Sequence, residues 1–304
     1  VQQQAGQVQD RGTHESSGQA AYQDELSDHL LLSAAASVRD TAAGLSSNAL
    51  STPMIVDQQR GFREGYARVV LAGHYGRHDW KSGADAIFSN LTEVLQYRIT
   101  DPSQFDPQVA QQFTFLDHRH DREQAIFVQD AFHLNNWNLS VGLRFDHYRP
   151  AVTEYAWSPR FALSRYIPRL GVLLHASFDR VFETPAMENL LLASSPQVDQ
   201  ISPLVLRLPV RPARGNFYEI GVTKGLLGSM SISANAFRRA FSNFPDDDVL
   251  LDTGISFPAS FAHANIHGIE SKLEIRGFHG ISGFFSYSNQ TGIAKGPVTG
   301  GLLL

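Results

Sequence analysis

The residues in this 304-residue chain best placed to do chemistry are histidines and carboxylates gathered at a few points. His118 and His120 form an H-x-H pair flanked by Asp117 and Asp121. On a strand, positions two apart share a face, so the two imidazoles are the chain's candidate metal ligands. Arg119 and Arg122 are interleaved with them, and a solvated charged rim accounts for the same residues without a metal. Asp246, Asp247 and Asp248 offer hard oxygen ligands suited to Ca²⁺, yet lack the spaced Asp/Asn/Gly pattern of a calcium loop; they read as solvating an exposed loop. Enzyme signatures are missing: there is no G-x-S-x-G elbow, no G-x-x-x-x-G-K-[ST] phosphate loop and no H-E-x-x-H zinc helix. The chain has no Cys, which excludes a disulfide scaffold, a thiolate zinc site and a cysteine nucleophile. The expectation is a protein that is no enzyme and carries no catalytic residue and no cofactor.

Composition narrows the class. A net charge of −5 and a pI near 6.2 give no electrostatic reason to expect nucleic acid as a partner. Apolar residues make up 42%, aromatics 11% and charged residues only 18% of the chain, which argues against disorder. Nowhere do apolar residues run for the ~18 to 20 positions a membrane helix needs, and the opening VQQQAGQVQD is polar where a signal peptide is apolar. Helical membrane proteins are thereby excluded. β-barrels are not, because each of their strands shows lipid only every second side chain. A mean hydropathy of −0.20 suits such a barrel and a soluble β-sandwich equally.

The elements that must position these residues show period-2 alternation. Trp137, Leu139, Val141, Leu143 and Phe145 oppose Asn138, Ser140, Gly142, Arg144 and Asp146. Similar runs contain Val69 and Leu71, Leu170 to Phe178, Met230 to Ala236, and Ile269 to Ile275, with less regular strands near 124–134 and 215–223. Sustained helical periodicity is absent apart from a turn or two near 185–193.

Between the strands, short polar or Gly/Pro turns fall at 27–28, 76–79, 135–136, 167–169, 225–228 and 277–280. Longer connections are expected at roughly 43–62, 100–121, 183–214 and 243–261, with a shorter one near 150–156. Short and long alternate, as they do when a closed up-and-down membrane barrel puts turns at one rim and loops at the other. About 12 strands of ~9 to 14 residues result, longer than the usual ~5 to 6. Tyr148, Tyr155, Trp157, Tyr166 and Phe182 near strand ends read as an interfacial girdle, against the plainer reading of ordinary strand packing.

Five segments in order carry a resemblance to a known family. HDWKSGAD at 78–85 is followed by FVQDAFHLNNWNLSVGLRFD at 127–146 and by WSPRFALSRYIPRLGVLLHASFDRVFETPAME at 157–188; FYEIGVTKGLLGSMSISANAFRRA at 217–240 and ANIHGIESKLEI at 264–275 come after. Together they resemble the barrel hairpins of TonB-dependent outer-membrane receptors. The resemblance implies an all-β, antiparallel, up-and-down transmembrane barrel, of which about 12 strands of an expected 22 are present as a single partial barrel domain over residues 1–304. A receptor of this kind would begin with a signal peptide, a TonB-contacting segment and a plug domain, and would end on a strand closing with an aromatic residue. Here Val1 opens in what reads as a barrel loop and the chain stops at Leu304, so no plug domain is expected and the piece is read as a fragment. Unpaired edges in lipid would cost several kcal/mol per backbone group, which supports that reading.

The resemblance also implies a function and a set of partners. The full protein would bind a scarce ligand, a ferric siderophore, cobalamin or an oligosaccharide, at its outer loops in the bacterial outer membrane. It would import that ligand with energy relayed by the TonB complex through the missing plug, with outer-membrane lipid around it. Lys81, Asp85, Arg144, Asp146, Glu270, Lys272 and Glu274 would face the lumen, where the family holds its plug, and salt bridges to the plug are expected of them. The long connection 183–214, with Pro196, Pro203, Pro209 and Pro212, is the expected ligand gate. Two alternatives stand beside this one: a passive porin or adhesin barrel, and a soluble secreted β-protein that binds or hydrolyses carbohydrate with paired carboxylates in a cleft.

Overall fold

The computed structural model describes residues 6, 8–149, 152–185, 190–201, 210–226, 228–249, 255–278 and 280–300. Twelve strands form one sheet in chain order, each antiparallel to the next. They are β1 (Gln9–Ser27), β2 (Leu30–Ser47), β3 (Met54–Tyr75), β4 (His78–Ile99), β5 (Gln112–Leu134), β6 (Trp137–Tyr148), β7 (Glu154–Ile167), β8 (Val172–Glu183), β9 (Ala213–Leu226), β10 (Met230–Val249), β11 (Ser256–Phe278) and β12 (Ile281–Gly300). Among the described residues β1 pairs only with β2 and β12 only with β11, so the sheet is an unclosed part of a barrel.

Short turns join the strands at one end. In the β5–β6 hairpin Asn135 takes φ 50°, and at the β3–β4 turn Gly76 takes φ 61°, the left-handed geometry whose twist matches antiparallel strands. At the other end lie the connections 100–111 and 184–212, together with shorter ones. Two of the long connections expected from sequence prove to be mostly strand: β3 begins at Met54, and β10 runs to Val249 with β11 starting at Ser256. Asp246, Asp247 and Asp248 therefore sit in β10, in register with Ala259, Pro258 and Phe257, and not in a loop.

Why these extensions escaped the alternation is visible in their side chains. Near the turns the apolar residues occupy the face we call outer: Val69 and Leu71 on β3, Ile126 and Val128 on β5. Toward the loop end they move to the opposite, inner face. There Met54 and Val56 on β3, Leu91, Leu95 and Tyr97 on β4, and Phe113 and Phe115 on β5 are buried together. The apolar phase inverts along a continuous strand, and a reading that requires one phase stops at the inversion.

That inner cluster is covered by residues 190–201 and Val210, which include the one-turn helix α1 (Leu190–Ala193) and the 3-10 turn Pro196–Gln200. Leu190, Leu191 and Leu192 are at most 2% exposed. Each such burial contributes about 1.5–3 kcal/mol, which holds a helix far too short to form alone. α1 touches both β5 and β11, so the sheet curves around its inner face. Residues 186–189 and 202–209 of the expected gate, Pro203 and Pro209 among them, lie outside the described residues.

On the outer face, two rows of aromatic residues border an aliphatic band. Trp80 and Trp137 lie toward the turns, Phe88 and Phe145 toward the loops, each pair eight positions apart on its strand. Eight residues of strand span about 26 Å, which a barrel tilt of ~40° reduces to roughly 20 Å of height, within the ~25 Å apolar band of an outer-membrane barrel. Tyr155 and Trp157 join the loop-side row and are 56% and 57% exposed. Tyr148 does not: the alternation that turns Phe145 outward turns Tyr148 inward, where it is 1% exposed with half-buried Phe182 edge-on to its ring. Tyr166 also has inner-face register, opposite Leu173, so neither belongs to the girdle.

Candidate functional site: the polar inner face

All seven residues expected to face a lumen share the inner face, but the register gathers them in two separate groups. On β4 to β6, Asp85, Arg144 and Asp146 form one unit. The Arg144 guanidinium donates from both terminal nitrogens to the two Asp85 oxygens at 2.9 and 3.0 Å, and from Nε to Asp146 Oδ1 at 2.7 Å. This forked pairing suits the planar guanidinium and fixes its orientation. Lys81 lies on the same face four positions nearer the turns and is exposed.

The second group is on β11, with β7 to β10 between. Lys272 Nζ lies 3.7 Å from Glu274 Oε2 and 5.3 Å from the Phe284 ring centroid; Arg276 donates to Glu274 Oε2 at 3.0 Å. Glu270, opposite Asn235 of β10, is exposed. Part way between the groups, His175 Nε2 sits 3.2 Å from Glu219 Oε1. A Cβ at Gly221 would meet the His175 ring and Asn235 Oδ1, so a larger residue there would displace this pair.

Of two buried inner-face carboxylates, Glu93 was not singled out from sequence and Asp121 was named only as a flank of the H-x-H pair. Glu93, on β4 beyond the loop-side aromatic row, is 3% exposed, and its Oε2 accepts from the backbone N–H of Leu191 at 3.0 Å and of Leu192 at 3.4 Å. Oε1 is buried without a partner. Desolvation pushes this carboxyl up to about 7, against the pull of the two amides and of Arg60. Asp121, directly opposite Ser89 in the β4–β5 register, is 5% exposed. The available sequence signal was the alternation itself. Carrying the odd positions of β4 past Phe88 puts Ser89, Leu91 and Glu93 on the face of Asp85.

The metal candidates fall elsewhere. His118 and His120 do share one face, the outer one, while the same alternation sends Asp117 and Asp121 to the inner face. The Nδ1 of His120 is hydrogen-bonded to Asn90 Oδ1. Among the described residues no three His, Asp or Glu side chains gather as a metal site. The inner face can therefore present ordered charge of both signs to whatever fills the concavity, and a buried carboxylate that holds a connecting segment inside its mouth.

Known proteins place this architecture. The family model described as TonB dependent receptor-like, beta-barrel matches residues 2–304. Similar solved structures include the copper transporter OprC, with a TM-score of 0.66 at 14% identity over 94% of this chain and 48% of that one. The ferric yersiniabactin uptake receptor FyuA from Yersinia pestis aligns with a TM-score of 0.67 at 11% identity over 95% and 44%, and the FrpB iron transporter of Neisseria meningitidis with 0.65 at 13% over 94% and 46%. No curated protein sequence matches the chain. The chain spans less than half the length of these three structures, with the same fold. With a two-faced, up-and-down partial barrel and a family match over nearly its whole length, this chain belongs to the TonB-dependent receptor-like β-barrel family.

Proposed function

We propose that the chain is part of the wall of an outer-membrane transporter that takes up a scarce ligand, a ferric siderophore, cobalamin or an oligosaccharide, with energy supplied through TonB. The observation that carries this reading is the family match over residues 2–304 on a sheet with an apolar outer band and a charged concave inner face. The similar structures named for copper, iron and ferric yersiniabactin transport fit the same kind of work. In this reading residues 1–304 are one partial barrel domain, further strands complete the wall, and a plug contributed by another part of the protein lies against the inner face. The Asp85–Arg144–Asp146 unit, Lys81 and the Glu270–Lys272–Glu274 row then meet the plug. TonB acts on that plug, and the work is binding and conformational change without covalent chemistry.

Exposed Val69, Ile126, Val128 and Val141 on the outer face weigh against a soluble β-protein, which would bury such residues in a core. The experiment is uptake in cells carrying the full natural gene, with TonB intact or deleted. Labelled ferric siderophores, cobalamin and oligosaccharides serve as probes. Accumulation of at least one probe is expected to fall to the passive background without TonB; accumulation that persists at the same rate contradicts the reading.

A further inference from the structure

The outer face carries one feature that transport does not use. A groove of about 610 Å³ crosses the outer side of β3 to β7 at the loop-side aromatic row. Register makes it: Ala67 lies directly across from Ala86, and Ala84 across from Val69 on one side and Ile126 on the other, so small side chains form a sunken floor. One wall is built from rings, with Phe145 stacked 6.1 Å from Tyr155, and Trp157 tilted against Phe145 at 4.8 Å behind it. Alanine floors of this kind let a linear apolar chain lie close to the backbone, where a uniformly leucine-rich barrel surface would hold it off.

Directly above the groove, on the same face, stand one arginine and three histidines. Arg122 stands over the Phe88 ring at 5.7 Å, His120 and His118 follow on β5 at steps of about 7 Å, and His147 stacks on Tyr155 at 4.8 Å. On β4 to β7 the outer-face positions carry a single carboxylate, Asp130, which lies at the opposite end and is engaged by His78 at 2.6 Å. An apolar slot capped by exposed Arg122 and by imidazole N–H donors, with no carboxylate beside them on the outer face of β4 to β7, is complementary to an amphiphile with an anionic head. Arg122, with its planar fork of N–H donors, suits a phosphate.

We propose that the groove and the basic step above it bind one acyl chain and the phosphate headgroup of an anionic lipid in the outer leaflet. This rests on the membrane-spanning reading of the sheet. The full-length protein, reconstituted in nanodiscs, is to be assayed by native mass spectrometry for retained dimyristoyl phosphatidic acid against dimyristoyl phosphatidylcholine. The native protein should retain the phosphatidic acid about tenfold more strongly, and Arg122→Gln with His120→Gln, both exposed positions, should reduce that preference to about twofold or less. Ala84→Trp, filling the floor, should lower retention of both lipids. Equal retention of the two lipids by the native protein overturns the proposal, as does a preference that survives the paired substitution. A protein that does not enter the bilayer at all overturns the transport reading together with it, whereas entry without headgroup preference removes the lipid site alone.

Discussion

Glu93 shows how one side chain ties the inner face to a connecting segment. Its carboxyl lies beyond the aromatic rows, takes both Leu191 and Leu192 amides on one oxygen, and has its pKa raised to about 7 by burial. Arg60 on β3 and Asp117 on β5 are directly opposite it in register, and α1 brings no charge of its own. The sign of the linkage follows: the docked state holds the proton more tightly than an undocked state with an ordinary carboxyl near 4.5. The stabilisation is then fully present below about 4.5 and is lost as pH rises through about 7. Hydrogen-exchange protection factors at Leu191 and Leu192 are therefore expected to fall several-fold between pH 5 and pH 8, and Glu93→Gln should flatten that dependence. Protection that is constant across this range in the native protein contradicts the assignment. Nothing in the sequence around Glu93 marks it out, because its partners arrive from residues about a hundred positions away.

At the scale of the strand, much was legible and one thing was systematically hidden. The run from Trp137 to Phe145 predicted β6, its faces and its turn at 135–136, because an apolar outer face and a polar inner face impose strict alternation there. Tyr148, three positions on, was assigned to the girdle by residue type, when the parity already established on that strand put it inside. The extensions of β3, β10 and β11 were missed because leaving the apolar band reverses which face needs apolar side chains. The seven charged candidates were placed on one face by the same parity, but their division into two groups depends on how many strands intervene. The faces make a direct prediction. Val141→Arg on the outer face should cost about 2–4 kcal/mol of folding free energy in bilayers, whereas Ser140→Arg on the inner face should change it by about 0.5 kcal/mol or less. Equal costs at the two positions, measured by denaturant titration in vesicles, would remove the face assignment.

For the whole molecule, the parts agree on one arrangement: a curved sheet whose outer face carries an apolar band, and whose inner face carries paired charge below and an apolar cluster above, covered by Leu190 to Ala193, Ile201 and Val210. Ligand identity was not legible, since nothing in a barrel wall's alternation encodes what its loops and plug hold. Residues 1–304 contain no Cys, so single cysteines can be introduced into these strands once any thiol elsewhere in the full-length protein has been replaced. The measurement is the accessibility of nitroxide labels, placed one at a time at positions 139 to 145 of the full-length protein in bilayers, to lipid-soluble oxygen and to a water-soluble nickel chelate. The account predicts oxygen accessibility that peaks at 139, 141, 143 and 145 and drops at 140, 142 and 144, with a period of two. Uniform accessibility to the nickel chelate along the whole run would contradict it.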